Sequence, residues 1–221
     1  GILLGFYVFK FAREQWGDLT GVIALAFYSF SPTFLAHTRL VTTDVAAAAA
    51  FFISFYYFYK WLELPTRLGL LVSGIVLGLA LLVKFSVVLL IPILGLMVLF
   101  RGFRKYFGGF ILILIVALLV IGAVYAYHVW NYPPEKQAID TAFILSTFGF
   151  KPLANLSVWI SSQPYLRAWG GYFLGFIMVL QRSGGGNTTY YLGEVSADGS
   201  RSYFPVMYLL KEPLAYILLT L

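Results

Sequence analysis

At 221 residues the chain has the length of one large soluble domain, but 61% of its residues are hydrophobic and only 11% charged, against about half and a quarter in soluble proteins. Too few polar residues remain to cover the outside of a soluble fold, so the composition describes an integral membrane protein, and unbroken rather than alternating apolar stretches exclude a β-barrel. The net charge of +6 lies along the flanks of apolar runs, the habit of a membrane protein and not of a nucleic-acid binder; the absence of cysteine, with His37 and His128 the two histidines, excludes thiolate chemistry, disulfide frameworks and His-rich metal clusters.

In chain order, residues 1–9 are apolar but too short to cross a bilayer, which takes about 20 residues. Spans are expected over 18–36 and 43–59. The next apolar stretch, Gly69 to Phe100, has 32 residues and one charge, Lys84. As one helix it would be roughly 48 Å long, well beyond the roughly 30 Å hydrocarbon core. It is therefore expected to fold into two short helices that turn near Lys84-Phe85-Ser86, with the turn below the membrane surface. A further span covers 106–130. Residues 1–130 thus form a helix bundle, 131–203 an outer loop region with short interfacial helices, and 204–221 the start of another membrane helix. Both ends read as cut through helices, so the expectation is a stretch of a longer protein that lacks activity by itself.

Orientation follows from the short loops. Lys10, Arg13, Lys60, Arg67, Arg101, Arg104 and Lys105 lie on one side, with only Arg39 and Lys84 opposite. The bias of cytoplasmic loops towards Lys and Arg places the seven-cation side inside, where Phe55 to Tyr59 and Trp61 make an aromatic belt. The region after Trp130 is then outside. It holds four acids, Glu135, Asp140, Glu194 and Asp198, and a short apolar segment, Tyr172 to Leu180, too short to span and expected to lie in the interface or to re-enter the membrane. The triplets beginning at Asn155 and Asn187 are glycosylation sequons, informative only in a eukaryote.

A charge in a membrane span costs about 2.5 to 3.5 kcal/mol at the helix centre, so charges near the spans are candidates for function. On the outer side these are His37, Arg39, Asp44 and Lys84. His37 and Asp44 are seven apart and would share one face of a helix. Each residue also has a structural reading: Thr43 or Asp44 as a helix N-cap, Arg39 as a headgroup anchor, Lys84 as a snorkelling lysine. Lys84, flanked by apolar residues at headgroup depth, suits a phosphate. Gly74 and Gly78 permit close helix packing. The glycines at 184–186 precede no GK[ST] and make no phosphate loop, which argues against a cytosolic nucleotide donor.

Three blocks, SPTFLAHTRLVTTDVAAAAAFF (31–52), GIVLGLALLVKFSVVLLIP (74–92) and TYYLGEVSADGSRSYFPVMYLLKEPLAYILL (189–219), give the chain its family likeness. It resembles the phospholipid-carrier-dependent glycosyltransferases of the GT-C superfamily, relatives of the protein O-mannosyltransferases and the aminoarabinose lipid A transferases. The resemblance implies an all-α polytopic GT-C helix bundle with a long exoplasmic loop region. It implies transfer of a sugar from a polyprenyl-phosphate donor to a hydroxyl on a protein, lipid or glycan acceptor, among membrane lipids. Arg39, Lys84 and Lys211 would take the donor phosphate, His37 and Tyr203 would contact substrate, and Asp44 and Glu194 would be acidic members of the site, with a divalent cation as a candidate cofactor. The family's principal catalytic carboxylate lies in an outer loop upstream of these residues, so Asp44 is not assigned as the general base. The expected home is a bacterial or archaeal plasma membrane in preference to the endoplasmic reticulum. Two other classes remain: a transporter or flippase, disfavoured by the lack of an internal repeat, and a non-catalytic scaffold, which needs no buried lysine or clustered aspartate.

Overall fold

A computed structural model describes residues 1–40, 42–184, 188–197 and 200–220. Asp198, the second and third glycines of the 184–186 run, and sequon residue Asn187 lie outside the described residues.

Helix α1 (Ile2–Trp16) turns directly into α2 (Asp18–Phe30) through Gly17, whose φ of 94° lies in the region that side chains other than glycine avoid. The expected single span over 18–36 is instead two helices. Ser31 is extended, α3 (Pro32–Thr38) begins at the proline, and the two axes meet at 60°. Proline lacks the N–H that would continue the ladder and pushes the preceding residue out of the helical region.

Helix α4 (Asp44–Glu63) is a full span. Helix α5 (Arg67–Val83) ends at Lys84, which is extended (φ −159°, ψ 135°), and a 3-10 turn over Phe85–Leu89 leads into α6 (Leu90–His128). The reversal falls where the length of the apolar stretch required it. Residues 85–128 carry a strongly apolar window, and at 1.5 Å per residue their 44 residues would run roughly 66 Å, twice what a membrane needs. Gly102, at φ 129°, breaks them into two limbs beside Arg101, Arg104 and Lys105. By length and composition, 44–63 and 85–128 can cross a membrane, and the bent α2–α3 pair is a third such segment if it counts as one. The five spans expected from the sequence correspond in position to α2–α3, α4, α5 and the two limbs broken at Gly102, of which α5 and the first limb, 17 residues each, are shorter than a full crossing.

The core joins α4, α5, the 3-10 turn and α6 around Phe58, Leu77, Leu81, Leu90, Leu94 and Ile113. Gly74 and Gly78 let the backbones of α5 and α6 approach closely: a Cβ on Gly78 would lie 2.8 Å from the Ala117 carbonyl oxygen.

Beyond α6 come α7 (Pro134–Ile144), α8 (Lys151–Ser162) and α9 (Arg167–Gly184). The segment 172–180 is thus the middle of an 18-residue helix packed against α6 and α8. A two-stranded antiparallel hairpin, β1 (Thr189–Tyr191) and β2 (Glu194–Ser196), follows. The C-terminal stretch is helical, but it is interrupted at Glu212-Pro213 into α10 (Tyr203–Lys211) and α11 (Leu214–Thr220).

Candidate active site at the Asp44–Lys84 end of the bundle

The two ends of the bundle differ in how their charges are used. At the end rich in basic residues, Lys60 pairs with Glu14 (3.3 Å) and Glu63 (3.5 Å). Lys10 lies over the Tyr56 ring (5.3 Å) and Arg101 over Tyr59 (5.7 Å), and Tyr56 donates to Glu14. These cations are absorbed by carboxylates and aromatic faces that join α1, α4 and α6.

At the other end, Asp44 stands in the first turn of α4, where a carboxylate is favoured by the helix dipole. Thr43 makes no side-chain capping bond, so the capping reading does not account for the pair of residues. The chain leaves α5 at Val83 in an extended conformation, and Lys84 Nζ donates to Asp44 Oδ1 at 2.6 Å. The lysine is 39% exposed and the aspartate 50%, so an incoming anion can reach the ammonium. The Thr42 hydroxyl and the His37 ring also stand within electrostatic reach of the Asp44 carboxylate. That proximity comes from the turn between helices. Residues 37 and 44 do not share a helix face, because α3 ends at Thr38 and α4 starts at Asp44.

The other nominated residues divide into two groups. Arg39 and His37 are exposed beside the turn, and Arg39 makes no ion pair among the described residues. Lys211 ends α10 next to Glu212. Glu212 Oε1 accepts from Thr33 Oγ1 at 3.0 Å, and Tyr216 donates to the Phe27 carbonyl at 2.8 Å. The C-terminal block thus docks on the α2–α3 bend, which brings Lys211 to the helix that carries His37.

Glu194 and Tyr203 form a separate local unit. Glu194 lines a polar cavity of about 440 Å³ with Thr189, Tyr191, Ser196 and Ser200. Tyr203 rests its ring on Tyr191, with centroids 5.6 Å apart. No hydrogen bond or ion pair joins Glu194 to Asp44 or Lys84 among the described residues. Nor do those residues contain a group of three His, Asp or Glu able to hold a metal. With Asp44 Oδ1 held by an ammonium, the arrangement does not fit a divalent-cation site at Asp44.

Behind Lys84 is a cavity of about 270 Å³ lined by Leu81, Val83, Phe85, Tyr125, Tyr172 and Val179. Helix α9 closes it. Tyr172 donates to the Leu81 carbonyl at 3.2 Å, and burial, with a smaller contribution from Tyr125, pushes its phenol up to about 12. Trp169 Nε1 donates to the Leu118 carbonyl at 2.8 Å, its ring filling the space over Gly122. Arg167 donates to the carbonyls of Tyr132 (2.6 Å) and Val129 beyond the end of α6. Sequence reasoning missed these residues. The visible signal was an arginine and two aromatic donors in the first turns of an amphipathic helix, and nothing local announces carbonyl partners in distant helices. A second cavity, about 510 Å³, lies between α1 and the α2–α3 bend; its lining of Phe6, Phe9, Leu25, Tyr28, Phe34 and Leu35 offers no charged group.

Residues 1–130, more than half of the chain, match the family model described as dolichyl-phosphate-mannose-protein mannosyltransferase. The match contains His37, Arg39, Asp44 and Lys84 and stops short of Glu194, Tyr203 and Lys211. No curated protein and no solved structure matches the chain.

Proposed function

Because the chain belongs to the dolichyl-phosphate-mannose-protein mannosyltransferase family, membrane glycosyltransferases of GT-C type that use polyprenyl-phosphate-linked sugars, we propose that it moves a hexosyl or pentosyl group onto the hydroxyl of a protein, lipid or glycan acceptor at the outer face of a bacterial or archaeal plasma membrane. The observation that carries this reading is the half-exposed Asp44–Lys84 pair at the end of the bundle opposite the basic cluster.

In the reaction, the bond between the sugar's anomeric carbon and the phosphate oxygen breaks as the acceptor oxygen bonds to that carbon. The acceptor proton goes to a carboxylate base, and the polyprenyl phosphate departs with an added negative charge that cations stabilise. Lys84 is the cation for that oxygen, with Arg39 beside the same turn and Lys211 on the docked C-terminal block. Asp44 holds Lys84 in place until the phosphate arrives and takes the ammonium. His37, Glu194 and Tyr203 act on the sugar or acceptor side. Asp44 is not assigned as the general base, because the principal catalytic carboxylate of the family it resembles lies in an outer loop upstream of these residues.

The test uses Lys84→Ala and Asp44→Asn in the full-length protein. Lys84→Ala is expected to weaken binding of polyprenyl phosphate roughly ten- to a hundredfold, the worth of a charged hydrogen bond, and to abolish transfer with normal membrane insertion. Asp44→Asn is expected to lower transfer while binding persists. Undiminished binding and transfer in Lys84→Ala would overturn the assignment.

A further inference from the structure

We infer that Tyr172 on α9 is a positioning residue for Lys84, acting as a helix cap supplied from a distant part of the chain; the inference rests on the donor-phosphate role proposed for Lys84.

Helix α5 stops at Val83 with no local reason to stop. Lys84 and Phe85 follow, not the glycine, asparagine or proline that commonly ends a helix. Ending there leaves the carbonyls of the last four residues, 80 to 83, without intrahelical partners. The carbonyl of Leu81 would have received the N–H of residue 85 had the helix continued. It accepts instead from the Tyr172 hydroxyl, 3.2 Å away, while the Lys84 carbonyl accepts from Val87 N–H and starts the 3-10 turn. The hydroxyl therefore satisfies an acceptor that the break exposes, and so stabilises the conformation in which Lys84 is extended and its side chain reaches Asp44.

The far side of the break is held by the same helix. The Tyr172 ring packs against Phe85, with centroids 5.2 Å apart, and edge-on to Tyr125 at 5.5 Å. Phe85 in turn fits against Gly175, where a Cβ would come within 2.6 Å of its ring. One helix turn of α9 thus fixes both neighbours of Lys84: the carbonyl three residues before it and the ring one residue after it. Trp169 anchors that turn to α6 and Arg167 anchors it to the residues just after α6, so α9 sets the place of the cation at the end of α5.

Tyr172→Phe keeps the ring and removes the hydroxyl. In the full-length protein it is expected to weaken polyprenyl phosphate binding and raise the KM for the lipid-linked donor by about three- to tenfold, the worth of one neutral hydrogen bond, and to lower kcat as well, because Lys84 also stabilises the departing phosphate. Tyr172→Ala, which also loses the ring, is expected to do more. In a Lys84→Ala background Tyr172→Phe is expected to have no further effect on binding, since the group it positions is gone. A merely structural role predicts a lowered melting temperature with binding and KM unchanged, or an equal loss of binding with and without Lys84. Either result overturns the inference. If Tyr172→Ala does not fold, Tyr172→Phe alone decides. If Lys84→Ala binds the phosphate normally, the proposed function fails on that observation; if Lys84→Ala fails to bind and Tyr172→Phe is silent, only the positioning role falls.

Discussion

A Cβ added at Gly78 would lie 2.7 Å from the Cβ of Val120 and 2.8 Å from the carbonyl oxygen of Ala117, and at Gly74 it would meet Val116 at 2.6 Å. At Gly78 one of the neighbours is backbone, which cannot swing aside, so a single methyl must push α5 and α6 apart. Overpacking of this kind costs about 1–3 kcal/mol. Gly108, on the same α6, has nothing within 4 Å of a Cβ and is the matched control. Gly78→Ala is expected to lower the thermal midpoint of the purified protein by several degrees and Gly108→Ala to leave it unchanged or raise it slightly. Equal shifts in the two variants would mean that the α5–α6 approach does not limit stability. The consequence reaches the site, because α5 ends at Lys84 and its displacement moves the ammonium relative to Asp44 on α4.

Among the elements, α9 does the most to join the outer region to the bundle, and it does so through donors aimed at carbonyls. Arg167 is the strongest of these, its guanidinium reaching the carbonyls of Tyr132, Val129 and, at 3.5 Å, Trp130. A lysine, with a point charge in place of a planar fork, cannot serve three acceptors in that geometry. Arg167→Ala and Arg167→Lys are both expected to speed amide hydrogen exchange over residues 129–145 and to cost up to about 2 kcal/mol, water replacing part of the lost bonding at this half-buried position. Exchange unchanged in Arg167→Ala would remove the clasp from the account. The same element marks where reading the sequence stops. The reversal at Lys84 was legible because 32 apolar residues exceed a bilayer's thickness, and the Gly74–Gly78 spacing was legible as close packing. Pro32 was in plain view, yet the 19-residue length of 18–36 suited one crossing and concealed the bend. The Tyr172–Leu81 and Trp169–Leu118 bonds join residues 91 and 51 apart. Nothing in one sequence fixes the register between helices so far apart, so the residues that position Lys84 were invisible while Lys84 itself was not. Glu194 was drawn from a motif, and its contacts are those of its own hairpin.

For the whole molecule, the placement of the chemistry depends on which end of the bundle faces out. One end gathers Lys10, Lys60 and Arg101 around Glu14, Tyr56 and Tyr59; the other presents the Asp44–Lys84 pair. In the orientation proposed for the chain, the excess of lysine and arginine in cytoplasmic loops turns the first end inward, and α7 to α9 would then lie outside with the site. These 221 residues contain no cysteine, so a single cysteine placed among them is compared with the parent protein as its background. Glu135 in the first turn of α7 and Tyr165 before α9 are exposed, as are Arg67 at the start of α5 and Arg104 beside the Gly102 break. A membrane-impermeant maleimide applied to intact cells is expected to label Glu135→Cys and Tyr165→Cys, and to label Arg67→Cys and Arg104→Cys only after permeabilisation. The reverse pattern would leave the ion pair and the α9 clasp intact but place them on the cytoplasmic side, and the assignment of transfer to the outer face would fall. Labelling of all four in intact cells would contradict a bundle that spans the membrane between its two charged ends.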